Sequence, residues 1–454
     1  MAVKLTFLGA VGTVTGSKYL LQVGDRKILT DCGLFQGYKQ LRLRNWAKLP
    51  VEPGSIDEVL LTHAHLDHSG YLPLLVKNGF RGHILCTEAT RDLCGILLPD
   101  SGHLQEKDAE YANRHGFSKH APALPLYTQA DAEIALKRFR TVSFDAPVQV
   151  AGGLNARFLY AGHILGAAMI ELTGAGQTIV FSGDLGRPND VAMFDPAIVK
   201  QAGYLIVEST YGNRKHEARD VEDALAAAIS GTAARGGTVV IPSFAVGRAQ
   251  ALLIHLYRLK QAKRIPDLPI FLDSPMAVDA SDIFAAHARD HKMSGDEVRA
   301  AFAVAHYVDT PDESNALDAN RFPKVIISAA GMATGGRVLY HLRSYAPDPR
   351  NLILFVGFQA GGTRGAAMIA GAESIKIHGQ YIPVRAAVEN LNMLSAHADA
   401  DEIMGWLRNF ERPPKMTFVT HGEPVAADAL RHRIAEELNW NCMVPEYRYE
   451  IELA

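Results

Sequence analysis

Cysteine is scarce in this chain. Cys32, Cys86, Cys94 and Cys442 lie far apart with no C-x-x-C pair, which excludes a disulfide framework and a zinc ribbon and leaves buried free thiols as the expectation. Long apolar runs are also missing: no stretch approaches the about 20 residues of a membrane span, and no basic segment followed by a long apolar one opens the chain. No membrane partner and a cytoplasmic location are expected. A charge excess is absent as well. The formal net charge is -3, so a polyanionic ligand would need a local basic groove. Hydrophobic residues at 48% and charged residues at 21% exclude a disordered or fibrous chain. The 454 residues allow two or three domains.

Histidine is what the sequence does have, 18 in all. His63-Ala64-His65-Leu66-Asp67-His68 packs four ligand-type side chains into six residues. The β-favouring run Val59-Leu60-Leu61 precedes it, and residues 66–76 carry apolar side chains at helical spacing. On an extended turn His63 and His65 point the same way, so both imidazoles can hold one metal. Asp67 and His68 enter the following helix in another direction and suit a second ion. The pattern predicts a dinuclear site; a plain His-rich surface turn has no need of it.

Residues 4–8, 18–23 and 26–30 read as strands of a meander. Asp31 follows the third, where a carboxylate can orient a metal-binding histidine; a turn-capping aspartate is the alternative. Residues 88–98 and 129–139 read as helices. Strands at 155–160 and 178–181 run into Gly162-His163 and Ser182-Gly183-Asp184, and a strand at 416–420 runs into His421. Each delivers a ligand-type residue at its C-terminal end. From about residue 210 helices and strands alternate, which predicts a parallel sheet with helical crossovers. The second domain therefore reads as an insertion: residues 1–209 and 391–454 form one domain and 210–390 the other. His103, His120, His255, His291 and His341 lie outside any ligand spacing and read as solvated or locally hydrogen-bonded.

His63 to His68, Gly162-His163, Ser182-Gly183-Asp184 and His421 resemble the metallo-β-lactamase superfamily motifs. With Glu208-Ser209-Thr210-Tyr211-Gly212-Asn213-Arg214 and Ser395-Ala396-His397, the chain resembles the β-CASP RNA-processing nucleases, including the endonuclease subunit of the cleavage and polyadenylation factor. The resemblance implies an α/β fold, a metallo-β-lactamase αββα sandwich with an inserted α/β β-CASP domain. It implies two zinc ions, with manganese as the alternative: His63, His65 and His163 on the first, Asp67, His68 and His421 on the second, Asp184 bridging. Asp31, Glu208 and His397 fall in its active-site motifs. Two such metals can activate a water and neutralise a phosphodiester. The leaving oxygen needs a proton, for which His397 oriented by Glu208 is the candidate.

Substrate is expected on the inserted domain. Ser243 to Arg248, Ser328 to Arg337 with Gly335 and Gly336, and Gly357 to Arg364 are Gly-rich strand-to-helix loops with an arginine, able to hold phosphates through backbone N–H groups and the guanidinium. Each alone also reads as a tight turn. Together, feeding one cleft, they suggest a phosphate track, with Arg337 the foremost candidate beside Arg248, Arg364, Ser243 and Ser395. The expected activity is cutting of single-stranded RNA, endonucleolytic and from the 5′ end, with a homodimer allowed. No appended RNA-binding module ahead of the chain and no long C-terminal tail are expected. A small-molecule hydrolase of lactonase or thioesterase type, and a binding scaffold that does not cut, are the alternatives. Diiron chemistry is disfavoured because Ala64 and Leu66 stand where a glutamate of an H-x-E-x-D motif would.

Overall fold

Val3, Leu5 and Phe7 are buried while Lys4 and Thr6 between them are half-exposed, the period-two pattern of a strand with one face on a core. In the computed structural model, which describes residues 2–116 and 118–454, this strand pairs antiparallel with Tyr19–Val23 and that one with Arg26–Thr30, so Leu5 faces Leu21 and Leu21 faces Ile28. The chain divides into two units, Met1–Lys215 with His397–Ala454, and His216–Ala396.

The first unit holds two sheets of seven strands each. In one, Glu450–Leu453 from the chain's end pairs with Val3–Phe7, and beyond Arg26–Thr30 the sheet continues with the parallel strands Glu58–Leu60, His83–Cys86 and Phe139–Thr141. In the other, Cys442–Met443, Met416–Val419, Tyr204–Val207, Gln177–Phe181, Ala168–Gly174, Leu154–Tyr160 and Val148–Val150 lie side by side. Phe7, Leu21 and Ile28 of the first sheet share one buried cluster with Phe158, Ile170, Phe181, Ile206 and Phe418 of the second. The two sheets thus close a single apolar core between them.

The second unit is built on a six-stranded sheet in the order His306–Tyr307, Ile270–Asp273, Val325–Ser328, Val239–Pro242, Leu352–Phe355, Ala387–Asn390. Every pairing is parallel. Val239–Pro242, Val325–Ser328 and Leu352–Phe355 are buried throughout, as strands covered on both faces must be. The α/β class follows the sequence expectation.

The helix expected at 88–98 instead runs from Glu88 to His115 and contains Pro99. Leu93, Leu97 and Leu98 before the proline and Ser101 and Gly102 after it are all buried, so packing outweighs the lost backbone bond. The edge strand Ala387–Asn390 is half-exposed and polar, and its sequence gives no strand signal. Cys32, Cys86 and Cys94 are buried free thiols as expected; Cys442 is half-buried. No helix among the described residues is long and apolar enough to cross a membrane.

Candidate metal centre

The strand Arg26–Thr30 ends at Asp31, Glu58–Leu60 leads to His63, Leu154–Tyr160 to His163, Gln177–Phe181 to Asp184, Tyr204–Val207 to Glu208, and Met416–Val419 to His421. Strand C-termini from both sheets therefore supply the site. The ligand-bearing turn is clamped by backbone bonds: Ser17 N–H donates to Asp67 O at 2.8 Å, Cys32 N–H to His68 O at 2.7 Å and Leu34 N–H to Leu66 O at 2.8 Å. A Cβ on Gly33 would lie 1.5 Å from Asp67 O, so only glycine allows this approach. Asp31 and His421 both hold positive φ, 57° and 49°, a conformation that costs energy in a side-chain-bearing residue and is kept here by the surrounding bonds.

Three clusters of candidate ligands meet: His63, His65, His163 and Asp184; Asp67, His68 and His421; Asp184, Glu208 and His397. In the first, His163 Nε2 is 3.2 Å from His65 Nδ1, and Asp184 Oδ2 is 3.4 Å from His63 Nε2 and 3.6 Å from His163 Nε2. In the second, His68 Nε2 is 3.1 Å from His421 Nε2, which is 3.6 Å from Asp67 Oδ2. Asp184 Oδ1 approaches His68 Nε2 at 3.2 Å, so the carboxylate touches both groups. Donors around a tetrahedral zinc ion, at about 2.05 Å each, stand roughly 3.3 Å apart. The observed spacings are those of such a shell.

The hydrogen bonding supports the same reading. His63 Nε2 and Asp184 Oδ1 are buried without a hydrogen-bond partner, an arrangement that is costly unless a ligand satisfies it. Three other ring nitrogens of the site are engaged. His68 Nδ1 is 2.7 Å from Asp31 Oδ2, His63 Nδ1 is 3.1 Å from Thr62 Oγ1 and His421 Nδ1 is 3.1 Å from Thr210 Oγ1. Donation from Nδ1 of His68 to Asp31 turns its Nε2 inward, where the neutral ring offers a lone pair. Asp31 also accepts from Thr62 N–H and Oγ1. The donor set therefore fits a zinc-type metal.

Burial holds the His63, His65 and His163 imidazoles neutral, His65 down to about 3, which is the ligand form. Burial would also lower His68, but Asp184 and Asp31 raise it well above its ordinary value. The surrounding imidazoles keep the Asp184 carboxyl ionised against the cost of burial. Beside this core, His397 Nδ1 stands 3.0 Å from Glu208 Oε1, and its Nε2 is 3.9 Å from Asp184 Oδ2. Glu208 is fixed by Leu185 N–H at 2.6 Å and Thr210 N–H at 3.2 Å. Burial opposes a charge on His397, yet Glu208 and Asp184 push its pKa up to about 9.

The residues expected to hold phosphates divide. Within the second unit, a Cβ on Gly357 would lie 3.7 Å from Ser395 Cα and 3.9 Å from Arg248 Nε, so these three come together. Ser243 is buried with its hydroxyl on Phe244 O. Arg337 departs from the expectation. Its guanidinium donates to Asp273 Oδ1 at 2.6 Å, Val308 O at 3.0 Å and Asp309 O at 2.6 Å, bracing the loop that contains Gly335 and Gly336. Arg364 likewise donates to Lys376 O, Ala333 O and Thr334 O. A buried carboxylate and backbone carbonyls already engage these two cations. Of the two readings open for His341 and His291, solvated or hydrogen-bonded, the structure has the second: both are buried, His291 Nε2 at 3.1 Å from Phe284 O and His341 between Asp273 and Asp318.

Sequence reasoning passed over Thr62, Thr210 and Lys18. The threonines stand at strand ends next to a ligand or within the Glu208 motif, and that position was the available signal. Lys18 is fully buried, donates to Gly33 O and lies 4.7 Å from the ring centres of both Phe35 and Tyr71, which holds the 31–35 run in place.

Comparison with known proteins agrees with this geometry. Residues 11–243 match the metallo-beta-lactamase superfamily, residues 249–368 the Beta-Casp domain, and residues 381–445 the Zn-dependent metallo-hydrolase RNA specificity domain. The chain is 37% identical to Ribonuclease TTHA0252 of Thermus thermophilus, over 91% of this chain and 92% of that protein. It is 31% identical to Transcription termination factor FttA of Methanosarcina mazei, over 96% and 69%. Cleavage and polyadenylation specificity factor 73 of Drosophila melanogaster is 29% identical, over 95% and 61%. A crystal structure of a protein of unknown function from Enterococcus faecalis shares the fold, with a TM-score of 0.56, 13% identity and full coverage of both chains.

Proposed function

Because the chain belongs to the metallo-beta-lactamase superfamily and carries its Beta-Casp domain, we propose that this metal-dependent hydrolase is a dinuclear ribonuclease that cuts single-stranded RNA internally and also from the 5′ end. The observation that carries the reading is the pair of donor shells sharing Asp184, with the Glu208–His397 pair directly beside them. His63, His65 and His163 would hold one ion and Asp67, His68 and His421 the other. Bound there, the metal supplies Lewis acidity toward the phosphodiester and lowers the pKa of a water.

The chain's own residues do the rest. Glu208 fixes His397 through Nδ1 and leaves Nε2 turned toward Asp184, where it can pass a proton to the leaving oxygen. Asp31, Thr62 and Thr210 hold the ligand rings in one tautomer and orientation. Arg248, next to Gly357 and Ser395, is the cation we assign to a substrate phosphate. The relatives named as a ribonuclease and a cleavage factor support RNA as the substrate.

The test is cleavage of RNA with a blocked 5′ end by the zinc-loaded protein. Internal cuts are expected, together with faster loss of the unblocked RNA. Cutting of only the unblocked RNA would reduce the activity to a 5′ exonuclease. Tight binding with no cutting of either would replace the reading with a scaffold.

A further inference from the structure

The segment from Tyr38 to Lys48 has no role in the core. Its helix, Lys39–Arg44, buries no residue, and Tyr38, Leu43 and Trp46 are 58%, 56% and 59% exposed. Residues 38–48 contain Lys39, Arg42, Arg44 and Lys48 and no acid. Lys39 and Arg42 are exposed. Arg44 lies over the rings of Phe35 and Tyr447 at 5.4 and 4.5 Å, and Lys48 pairs with Glu52 at 2.7 Å. The segment is nonetheless firmly attached. Asn45 accepts from Phe35 N–H at 2.9 Å and donates to Phe35 O at 2.8 Å. Phe35 ends the run that begins at Asp31, the residue holding His68, and that clamps the ligand turn through Leu34.

We propose that this segment is a docking platform for single-stranded RNA in the same unit as the metal centre, with bases stacking on Tyr38 and Trp46 and phosphates meeting Lys39 and Arg42. The proposal rests on the ribonuclease reading and deepens it. Rings interleaved with cations are what a sequence-tolerant single-strand site uses: every base has a face to stack and every linkage a charge to neutralise. A second copy of the chain is a poorer occupant. Packed face to face about a two-fold axis, the segment would set its exposed Lys39 and Arg42 against the same two like charges of the other copy.

The probe is a phosphorothioate 20-mer of uridine, with binding followed by fluorescence anisotropy on the zinc-loaded protein. Tyr38→Ala and Trp46→Ala should each raise Kd by about 5- to 150-fold, the range for one lost base stack. Lys39→Ala with Arg42→Ala should flatten the dependence of log K on log salt by about 1.4, from two phosphate contacts on a single strand. Zinc content and a thermal melt confirm that each variant is folded, and Tyr38→Phe should bind as the native chain does. If the native chain binds and cuts RNA while these variants keep its affinity and salt slope, the platform fails and the ribonuclease reading stands. If the native chain neither binds nor cuts RNA, both fail. Loss of a native dimer in Trp46→Ala, with RNA affinity intact, would make the segment a self-association surface instead.

Discussion

Among the described residues, a buried cluster of histidine and carboxylate stands at Asp184 in the first unit and another at Asp273 in the second, and they end differently. Around Asp184 the Nδ1 atoms of His68 and His63 are bonded to Asp31 and Thr62, while His63 Nε2 and Asp184 Oδ1 are left with no hydrogen-bond partner. Around Asp273 in the second unit everything closes on itself. Asp273 accepts from Arg337 at 2.6 Å, His341 Nε2 at 2.7 Å and the Ser314 hydroxyl, and His341 Nδ1 reaches Asp318 at 2.7 Å. Both clusters set buried histidine against aspartate, six imidazoles in the first and one, joined by an arginine, in the second. What separates a metal centre from a structural ion network is whether donors remain after the protein has satisfied itself.

The largest effect should come from breaking the open cluster. Asp184→Asn keeps the shape but removes the charge shared by both donor groups. Zinc affinity should fall by more than about 100-fold, the upper loss for a residue one bond further out. RNA cutting should fall with it, and urea unfolding of the second unit should stay as it was. Zinc retained after dialysis, measured by atomic emission, decides this; a variant that keeps its full complement would remove Asp184 from the ligand set.

Asp273→Asn is the opposite experiment. It leaves Arg337 and the charged His341 without their buried counter-charge, a loss of about 3–5 kcal/mol. Hydrogen exchange at the Val325–Ser328 strand, with which Ile270–Asp273 pairs, should speed accordingly while zinc content holds. If Asp273→Asn stripped the metal, the distinction between an open and a closed cluster would collapse.

How much of this was legible in advance follows from what kind of information each cluster uses. His63 to His68 is local: spacing within one turn already fixes which side chains can converge. His163, Asp184 and His421 were readable because each ends a strand and strand ends gather at one edge of a sheet. Arg337 was misleading for the same reason. Its Gly-rich loop has the layout of a phosphate site, but the carboxylate that claims its guanidinium is Asp273, 64 positions earlier, and no local pattern announces a long-range partner. From the sequence His341 stays open between a solvated and a locally hydrogen-bonded reading because the two acids that trap it, Asp273 and Asp318, are likewise remote in sequence. Edge strand Ala387–Asn390 was missed since its pairing partner, not its composition, makes it a strand.

The smallest effect is also the finest probe of the contrast, and it concerns pH. Both ring nitrogens of His341 face carboxylate oxygens at 2.7 Å, so both must donate and the ring is an imidazolium. Burial works against that charge, but the bonds to Asp273 and Asp318 prevail and push the pKa up to about 9. A folded-state pKa above the ordinary 6.5 means the stabilisation is complete below pH 6.5 and is lost as pH rises through about 9. Its size is on the order of 3 kcal/mol. In the metal centre the sign reverses: His63, His65 and His163 are already neutral there, but His68, held well above its ordinary value by Asp184 and Asp31, must lose its proton to bind a metal, so zinc affinity should rise with pH. Hydrogen exchange of the second unit at pH 6.5 and 9.5, corrected for the intrinsic rate, should therefore show weaker protection at the higher pH while zinc binding tightens. His341→Asn should flatten the first trend and leave the second. A native protein whose second unit is equally protected at both values would mean that His341 is neutral and that the closed cluster is held together by Arg337 alone.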